Sequence, residues 1–251
     1  MPLPEVFACM DLNTLFRLHW GGKVHGEAFQ RLVDEDFRPR LQRLEERAIA
    51  EGWLTPRVIY GYFPCHADGN EVVVYDPVGL ADGTMPMRPP RELVRFRFPR
   101  RPDRDRLCLA DYFQPAGSGR LDVIAFQVVT VGQAAGDLVE RLQRAGEYAE
   151  AYFIHGLAVE AAEGLAEWTN RHIKRELGLP AEGKGGLRYS WGYPACPDLE
   201  EQEKLFALMP IANAIGVRLT AGYQLDPEAS TAALIVHHPD AKYFSVRPSE
   251  T

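Results

Sequence analysis

The segment "LDVIAFQVVTVG", residues 121–132, consists almost entirely of residues that favour β-strands. Its apolar positions do not alternate with polar ones, which is the pattern of a strand buried on both faces. We therefore expect a central strand here, with other parts of the chain packed against each side of it.

Three shorter runs on the N-terminal side of this segment predict further strands. "RVIYGYFP" (57–64) and "NEVVVYDP" (70–77) flank "CHADG" (65–69), in which Asp68-Gly69 is a typical hairpin turn. The two runs therefore predict an antiparallel pair. "ELVRFRFP" (92–99) alternates apolar and polar residues, as a half-buried strand does.

Two long segments have the period of a helix instead. Residues 27–51 space their apolar side chains three or four apart, which predicts an amphipathic helix that Pro39 kinks or breaks. The same period runs from Gly136 to Leu177. Within it, Gly146 and Gly156 either interrupt the helix or allow close packing.

The C-terminal part continues this mixture of elements. "LEEQEKLFALMP" (199–210) predicts a short helix with Asp198 as its N-cap, and residues 217–246 contain two or three strand-like runs. The order of elements is typical of an α+β fold with antiparallel pairing, because strands and helices do not alternate regularly. No repeat or long linker divides the sequence, so we expect a single domain over residues 1–251.

The composition of the 251 residues limits the function classes. The chain has no apolar run long enough to span a membrane, and its start does not have the pattern of a secretion signal. We therefore expect a cytoplasmic protein without a membrane partner. The net charge of −7 opposes binding to nucleic acid, although residues 95–106 are rich in arginine. That segment indicates either an anionic partner or, more simply, a solvated turn.

Cofactor and metal motifs are not evident. "GSGR" (117–120) and "GKGG" (183–186) lack the strand, glycine turn and helix order of a phosphate cradle. His66 stands beside Cys65, and His237-His238 is an adjacent pair whose side chains would point to opposite faces of a strand. We therefore predict no metal site. Cys196, between Ala195 and Pro197, is interpreted as a buried structural cysteine.

The segment "LRYSWGYPACPD" (187–198) is the strongest candidate for a binding site, and it is too irregular to predict a packed helix or a paired strand. Arg188 offers a planar fork for a carboxylate, while Gly192 permits a positive φ. The alternative is a rigid connector whose aromatic residues pack on the core. Asp11 and Glu163 either balance a cationic ligand or serve as a helix cap and a solvated face.

Several segments together resemble one known family. They are "DLNTLFRLHWG", "CLADYF", "LDVIAFQVVTVG", "AEGLAEWTNRHIKRELG", "RYSWGYPACPDLEEQEKLF" and "TAGYQLDPEASTAALIVHHPDAKYF". In this order they are similar to the S-adenosylmethionine-binding activation domain of cobalamin-dependent methionine synthase, from about Asp11 to Phe244. The most specific element is RxxxGYPACP, which begins at Arg188.

The resemblance implies a C-shaped α+β domain with a bent antiparallel sheet and long helices. It also implies a module of a methyltransferase that supports reductive methylation of cob(II)alamin, with S-adenosylmethionine as methyl donor and a flavodoxin-like protein as electron donor. Cobalamin would be carried by a partner module, fused or in trans, since the chain has no DxHxxG signature. The alternative function is a stand-alone S-adenosylmethionine-binding or regulatory protein that acts on another corrinoid protein.

The resemblance also assigns ligand-binding positions, but no catalytic residue. Arg188 would pair with the carboxylate of the ligand, and Asp11 and Glu163 would face its cationic portion. The segment of Gly192, Tyr193 and Ala195 would line the pocket, with Tyr193 facing the corrin. Ile235 and Val236 match a ligand-contacting position at which other members have aromatic residues. The connection 178–187 is shorter than in some members, so the pocket rim is expected to differ.

Overall fold

An antiparallel sheet organises the computed structural model, which describes residues 1–78, 90–103, 105–180 and 185–246. Six strands of these residues follow the order β3-β2-β1-β4-β8-β5, and β6 and β7 form a separate pair. The strands are β1 (Arg57–Asp68), β2 (Glu71–Tyr75), β3 (Glu92–Arg97), β4 (Asp122–Thr130), β5 (Leu187–Ser190), β6 (Arg218–Leu219), β7 (Leu225–Asp226) and β8 (Ser230–Val236).

The predicted central strand is β4, which lies between β1 and β8. Its odd and even positions face two different sides of the sheet: Phe126 joins one hydrophobic core, and Val129 joins the other. Gln127 lies on the same face as Val129, and its Nε2 donates to the carbonyl oxygen of Ala166 at 3.0 Å. The expectation of a strand buried on both faces is therefore confirmed.

The predicted hairpin joins β1 and β2, with Asp68 paired with Glu71 and a positive φ of 61° at Gly69. The first strand is longer than predicted. Residues 65–68, which the sequence indicated as a connection, continue β1 because Cys65 pairs with both Val74 of β2 and Asp122 of β4. His66 and Asp68 pair with β2 alone, and this backbone pairing outweighs their weak strand propensity.

The helices cover both sides of the sheet. They are α1 (Leu3–Phe7), α2 (Leu12–Thr14), α3 (Gly26–Leu32), α4 (Arg38–Glu51), α5 (Ala134–Arg144), α6 (Tyr148–Glu176), α7 (Glu203–Leu208) and α8 (Ile211–Ile215). One core contains α4, α5 and α6, and the other contains α7, α8 and the segment around Trp191. None of the helices in the described ranges is both long and apolar enough to cross a membrane.

Breaks in the two predicted long helices have identifiable causes. Between α3 and α4 the chain forms a wider π-helical turn, Val33–Phe37, which ends two residues before Pro39. Proline lacks a backbone donor and crowds the preceding turn, so the helix widens there rather than ending. Gly146, with a φ of 81°, separates α5 from α6, whereas Gly156 lies inside α6 and allows Trp20 to pack closely.

Several arginines of the segment 95–106 pair with neighbouring carboxylates in the part that the structure describes, which excludes residue 104. Arg95 binds the carboxylates of Asp68, Glu71 and Glu92, and Arg100 binds Asp111 at 2.7 Å. These ion pairs balance the charges of the two arginines without an anionic partner, although Arg95 lies on β3 and not in a solvated turn.

Candidate functional site

The arginine of the candidate loop lies on a strand. Residues 187–190 form β5, which pairs antiparallel with β8 so that Arg188 stands opposite Ile235. The prediction that this segment is too irregular for strand pairing was therefore wrong for its first four residues. The reason is alternation: Tyr189 is buried in the core, whereas Arg188 faces α6.

An ion pair joins β5 to α6. The Nη2 atom of Arg188 donates to Oε2 of Glu163 at 2.7 Å, and the side chains are 18% and 32% exposed. The second terminal nitrogen of Arg188, Nη1, is buried and has no hydrogen-bond partner among the described residues. A buried guanidinium donor without an acceptor is costly. It is therefore well suited to an incoming carboxylate, which binds arginine with two parallel hydrogen bonds.

The residues after β5 form a tight turn. The amide of Gly192 donates to the carbonyl oxygen of Cys196 at 2.9 Å, and the amide of Cys196 donates to the carbonyl oxygen of Tyr193 at 3.0 Å. Burial raises the pKa of the Cys196 thiol to about 12, and its Sγ donates to the carbonyl oxygen of Ser190. Cys196 is therefore a protonated structural residue, as its sequence context predicted.

We predict that Gly192→Ala destabilises this turn. Gly192 has a φ of 84°, and a Cβ atom there would lie 3.0 Å from Cδ2 of Leu199. Gly117 is a matched control, because it has the same φ of 84° but nothing described within 4 Å. Urea denaturation should show a loss of about 1 kcal/mol in Gly117→Ala from backbone strain, and about 1 kcal/mol more in Gly192→Ala. Equal losses of unfolding free energy in the two variants would show that the contact with Leu199 does not destabilise Gly192→Ala.

Asp11 forms the other side of the site and caps α2. Its Oδ1 accepts from the amides of Asn13 and Thr14, and its Oδ2 accepts from the Thr14 hydroxyl at 2.8 Å. The hydrogen bonds from Thr14 hold the pKa of Asp11 below its usual value. Asp11 also lines a cleft together with Glu163 and Arg188. Its side chain is therefore a helix cap that faces the candidate site.

Glu160 was missed in the sequence interpretation. Its side chain is only 3% exposed, and its Oε1 accepts from the backbone amide of Asp11 at 2.8 Å. Burial raises the pKa of Glu160 to about 7, and the negative charges of Glu163 and Asp11 add to this effect. The available signal was a carboxylate on the apolar face of α6, one turn after the buried Leu157.

Three clefts meet at Glu163 and Tyr193, and Tyr193 is 59% exposed between them. The first, of about 480 Å³, is lined in part by the aromatic residues Tyr189, Tyr193, Tyr243 and Phe244, and its lining also includes Ala195. The second, of about 580 Å³, opens toward β7 and β8. The third, of about 390 Å³, contains most of the acidic groups, namely Asp11, Glu160, Glu163 and Glu167. Tyr243 and Phe244 were not predicted as site residues.

The predicted positions therefore divide into two groups. Five of the residues line the clefts together, and Gly192 shapes the turn between them; the five are Asp11, Glu163, Arg188, Tyr193 and Ala195. Ile235 and Val236 are fully buried in β8 and line none of the three clefts described. Their pairing with β5 aligns Arg188, but ligand contact at these two residues stays a prediction.

The histidines considered for a metal site lie apart and have other partners. His66 hydrogen-bonds the Tyr75 hydroxyl at 3.0 Å, and His237 contacts Asp122 at 2.6 Å. The hydrogen bond with Asp122 raises the pKa of His237 above its usual value. Among the described residues, no group of three or more His, Cys, Asp or Glu side chains could hold a metal ion.

Comparisons with known proteins bear on this arrangement. Residues 6–250 match the family described as vitamin B12 dependent methionine synthase, activation domain. The methionine synthases of Mycobacterium tuberculosis and Mycobacterium leprae are 37% and 35% identical to the chain over 94% of its length. The aligned region is 21% of each, so the chain spans about a fifth of the curated relatives that it matches.

A solved structure has a similar fold. The crystal structure of the MetH reactivation domain bound to AdoHcy matches 98% of this chain and 79% of that chain with a TM-score of 0.83. The sequences are 24% identical, so this likeness supports the fold and no more. The predicted α+β architecture with an antiparallel sheet is therefore confirmed.

Proposed function

The chain belongs to the family of vitamin B12-dependent methionine synthase activation domains, and from this premise we propose that it binds S-adenosylmethionine around Arg188. We further propose that the bound ligand serves the reductive methylation of cob(II)alamin. Cobalamin would be carried by another module of the enzyme, fused or in trans, and a flavodoxin-like protein would supply the electron. The proposed location is the cytoplasm.

The unpaired Nη1 donor of Arg188 is the observation that carries this proposal. Arg188 already uses Nη2 for Glu163, so a ligand carboxylate would give the buried Nη1 atom its missing acceptor. The carboxylates of Asp11 and Glu163 line the same cleft and suit a cationic group close to that carboxylate. An amino-acid ligand carries both charges in this spacing.

The adjoining aromatic cleft suits the adenosine part of the ligand. Tyr189, Tyr243 and Phe244 line it, together with the turn that contains Ala195. Aromatic walls and a volume of about 480 Å³ are typical of a pocket that holds a planar heterocycle. The positive φ at Gly192 allows the tight turn that places Tyr193 and Ala195 in the lining of this cleft.

When bound, S-adenosylmethionine supplies a methyl group on a sulfonium, which is a strong methyl donor. The residues of this chain bind and orient that ligand. Tyr193 is 59% exposed and lines all three clefts, so we propose that it faces the corrin of the partner module. Ile235 and Val236 contribute through β8, which holds Arg188 in register.

Calorimetric titration of the purified chain with S-adenosylmethionine tests the binding step. We expect saturable binding with a stoichiometry of one. A reactivation assay tests the second step: the chain is added to a methionine synthase that lacks this module, with a chemical reductant, and the loss of cob(II)alamin absorbance is followed.

The two measurements separate the candidate functions. Binding together with ligand-dependent loss of cob(II)alamin supports the proposal. Binding without it favours a stand-alone S-adenosylmethionine-binding or regulatory protein for another corrinoid protein. An absence of binding contradicts both.

A further inference from the structure

A buried carboxylate oxygen lies at the base of the acidic cleft. Oε2 of Glu160 is buried and accepts no hydrogen bond from any described residue, and the Nε2 atom of His19 lies 3.6 Å from it. The other oxygen, Oε1, accepts a hydrogen bond from the backbone amide of Asp11, and this bond connects Glu160 to the cap of α2. Glu160 therefore lies directly behind the residue that we propose to face the ligand cation.

The groups that surround Glu160 offset its negative charge only in part in the free protein. Arg188 is the cation of the cleft, but its Nη2 is committed to Glu163. Burial and the nearby His155 lower the pKa of His19 below its usual value, which disfavours the positive charge of His19 beside Glu160. The titratable groups around the cleft are Cys9 and Asp11 near α2, His19 after it, His155, Glu163 and Glu167 on α6, and Arg188 and Tyr193 around β5.

We propose that Glu160 is a positioning residue that couples ligand binding to a proton: it is partly protonated in the free protein and ionises when the ligand ammonium lies beside Asp11 and Glu163. The proton leaves to the buffer. The resulting carboxylate attracts the ammonium, and it accepts a stronger hydrogen bond from the Asp11 amide than the protonated form does. This inference rests on the proposed function, because it requires a cationic ligand in this cleft.

The direction of the pH dependence follows from linkage. A cation in the cleft stabilises the ionised form of Glu160 and lowers its pKa from about 7. Ligand binding therefore releases a proton at those pH values at which Glu160 is still protonated in the free protein. Affinity therefore rises with pH through this window and levels off above it. With a pKa of about 7, the ionised fraction, and with it the affinity, increases roughly fivefold to tenfold between about pH 6.0 and pH 7.5.

The test is calorimetric titration with S-adenosylmethionine across this pH range, in pairs of buffers with different ionisation enthalpies. The wild type should release a fraction of a proton on binding. Glu160→Gln should release less, bind several-fold more weakly than the wild type at about pH 7.5, and lose most of the pH dependence. Its side-chain amide oxygen can still accept from the Asp11 amide, so the cap of α2 is kept. Comparison of the two proteins with the same ligand cancels any titration of the ligand itself.

Two controls make the test specific. Glu167→Gln removes another carboxylate of the same cleft, one whose partner is Arg171 at 2.9 Å, and should keep the wild-type pH dependence. 5′-Methylthioadenosine has the adenosine part without the ammonium and should bind without proton release. Saturable binding with equal proton release in the wild type and Glu160→Gln would overturn this inference and leave the proposed function standing. No binding by the wild type at any pH would overturn both.

Discussion

Arg188→Ala is expected to weaken the binding of S-adenosylmethionine by about 3 kcal/mol, which is roughly a hundredfold in Kd. The variant removes the hydrogen-bond donors for the ligand carboxylate and also leaves Glu163 without its partner at 2.7 Å. The resulting negative charge in a partly buried position opposes the binding of that carboxylate. Isothermal titration of the wild type and the variant measures the change directly.

Folding must be separated from binding in this comparison. The Arg188–Glu163 pair is partly exposed, so its loss should lower the free energy of unfolding by about 1 kcal/mol or less. Arg95→Ala is the matched control, because Arg95 is an ion-paired arginine on β3, at the opposite edge of the sheet from β5. Arg95→Ala should keep the wild-type Kd. Unchanged affinity in Arg188→Ala would remove Arg188 from the site.

Gly164→Val is expected to destabilise the protein by about 3 kcal/mol. Gly164 lies in α6 at the contact with the N-terminal segment, and a Cβ atom there would lie 2.8 Å from the carbonyl oxygen of Val6 and 2.9 Å from Cγ of Met10. The backbone of Val6 cannot change its rotamer as a flexible side chain can, so the whole N-terminal segment must move away from α6 to make room for the valine. Urea denaturation followed by circular dichroism measures the loss.

The displacement should also reach the ligand site. Met10 directly precedes Asp11, so binding of S-adenosylmethionine should weaken in Gly164→Val even under conditions in which the variant is folded. Gly136→Val in α5 is the control, because its nearest described contact is a flexible side chain, Gln133, at 3.4 Å. Its stability should change by about 0.5 kcal/mol at most. Similar losses in the two variants would contradict the close-packing explanation.

The elements that the sequence predicted correctly are those with long, regular patterns. β4 has nine residues and the helical pattern around α6 extends over many turns, so their periodicity is clear. β5 has only four residues, which is too short for alternation to be recognised, and glycine and proline follow it closely. Its strand character comes from pairing with β8, which is a tertiary contact.

The candidate site shows the same limit. The resemblance in sequence indicated Arg188, Asp11 and Glu163, and all three line one cleft in the structure. Glu160 was not predicted, because a helical pattern shows which face is buried but not which carboxylate on it lacks compensating charge. That property depends on the approach of Asp11 and His19 from a segment about 150 residues away in sequence.

The position of Arg188 on an edge strand has a thermodynamic consequence. Among the described residues β5 is hydrogen-bonded to the sheet through β8 alone, and release of these four residues exposes far less surface than unfolding of the whole protein. Local opening of this kind costs less free energy than global unfolding. The binding-competent conformations are therefore a subset of the folded ensemble, which mild denaturant can depopulate while the two cores persist. A ligand that bridges β5 and α6 would raise the free energy of local opening of β5 toward that of global unfolding. Slower amide hydrogen exchange in residues 187–190 would report this change.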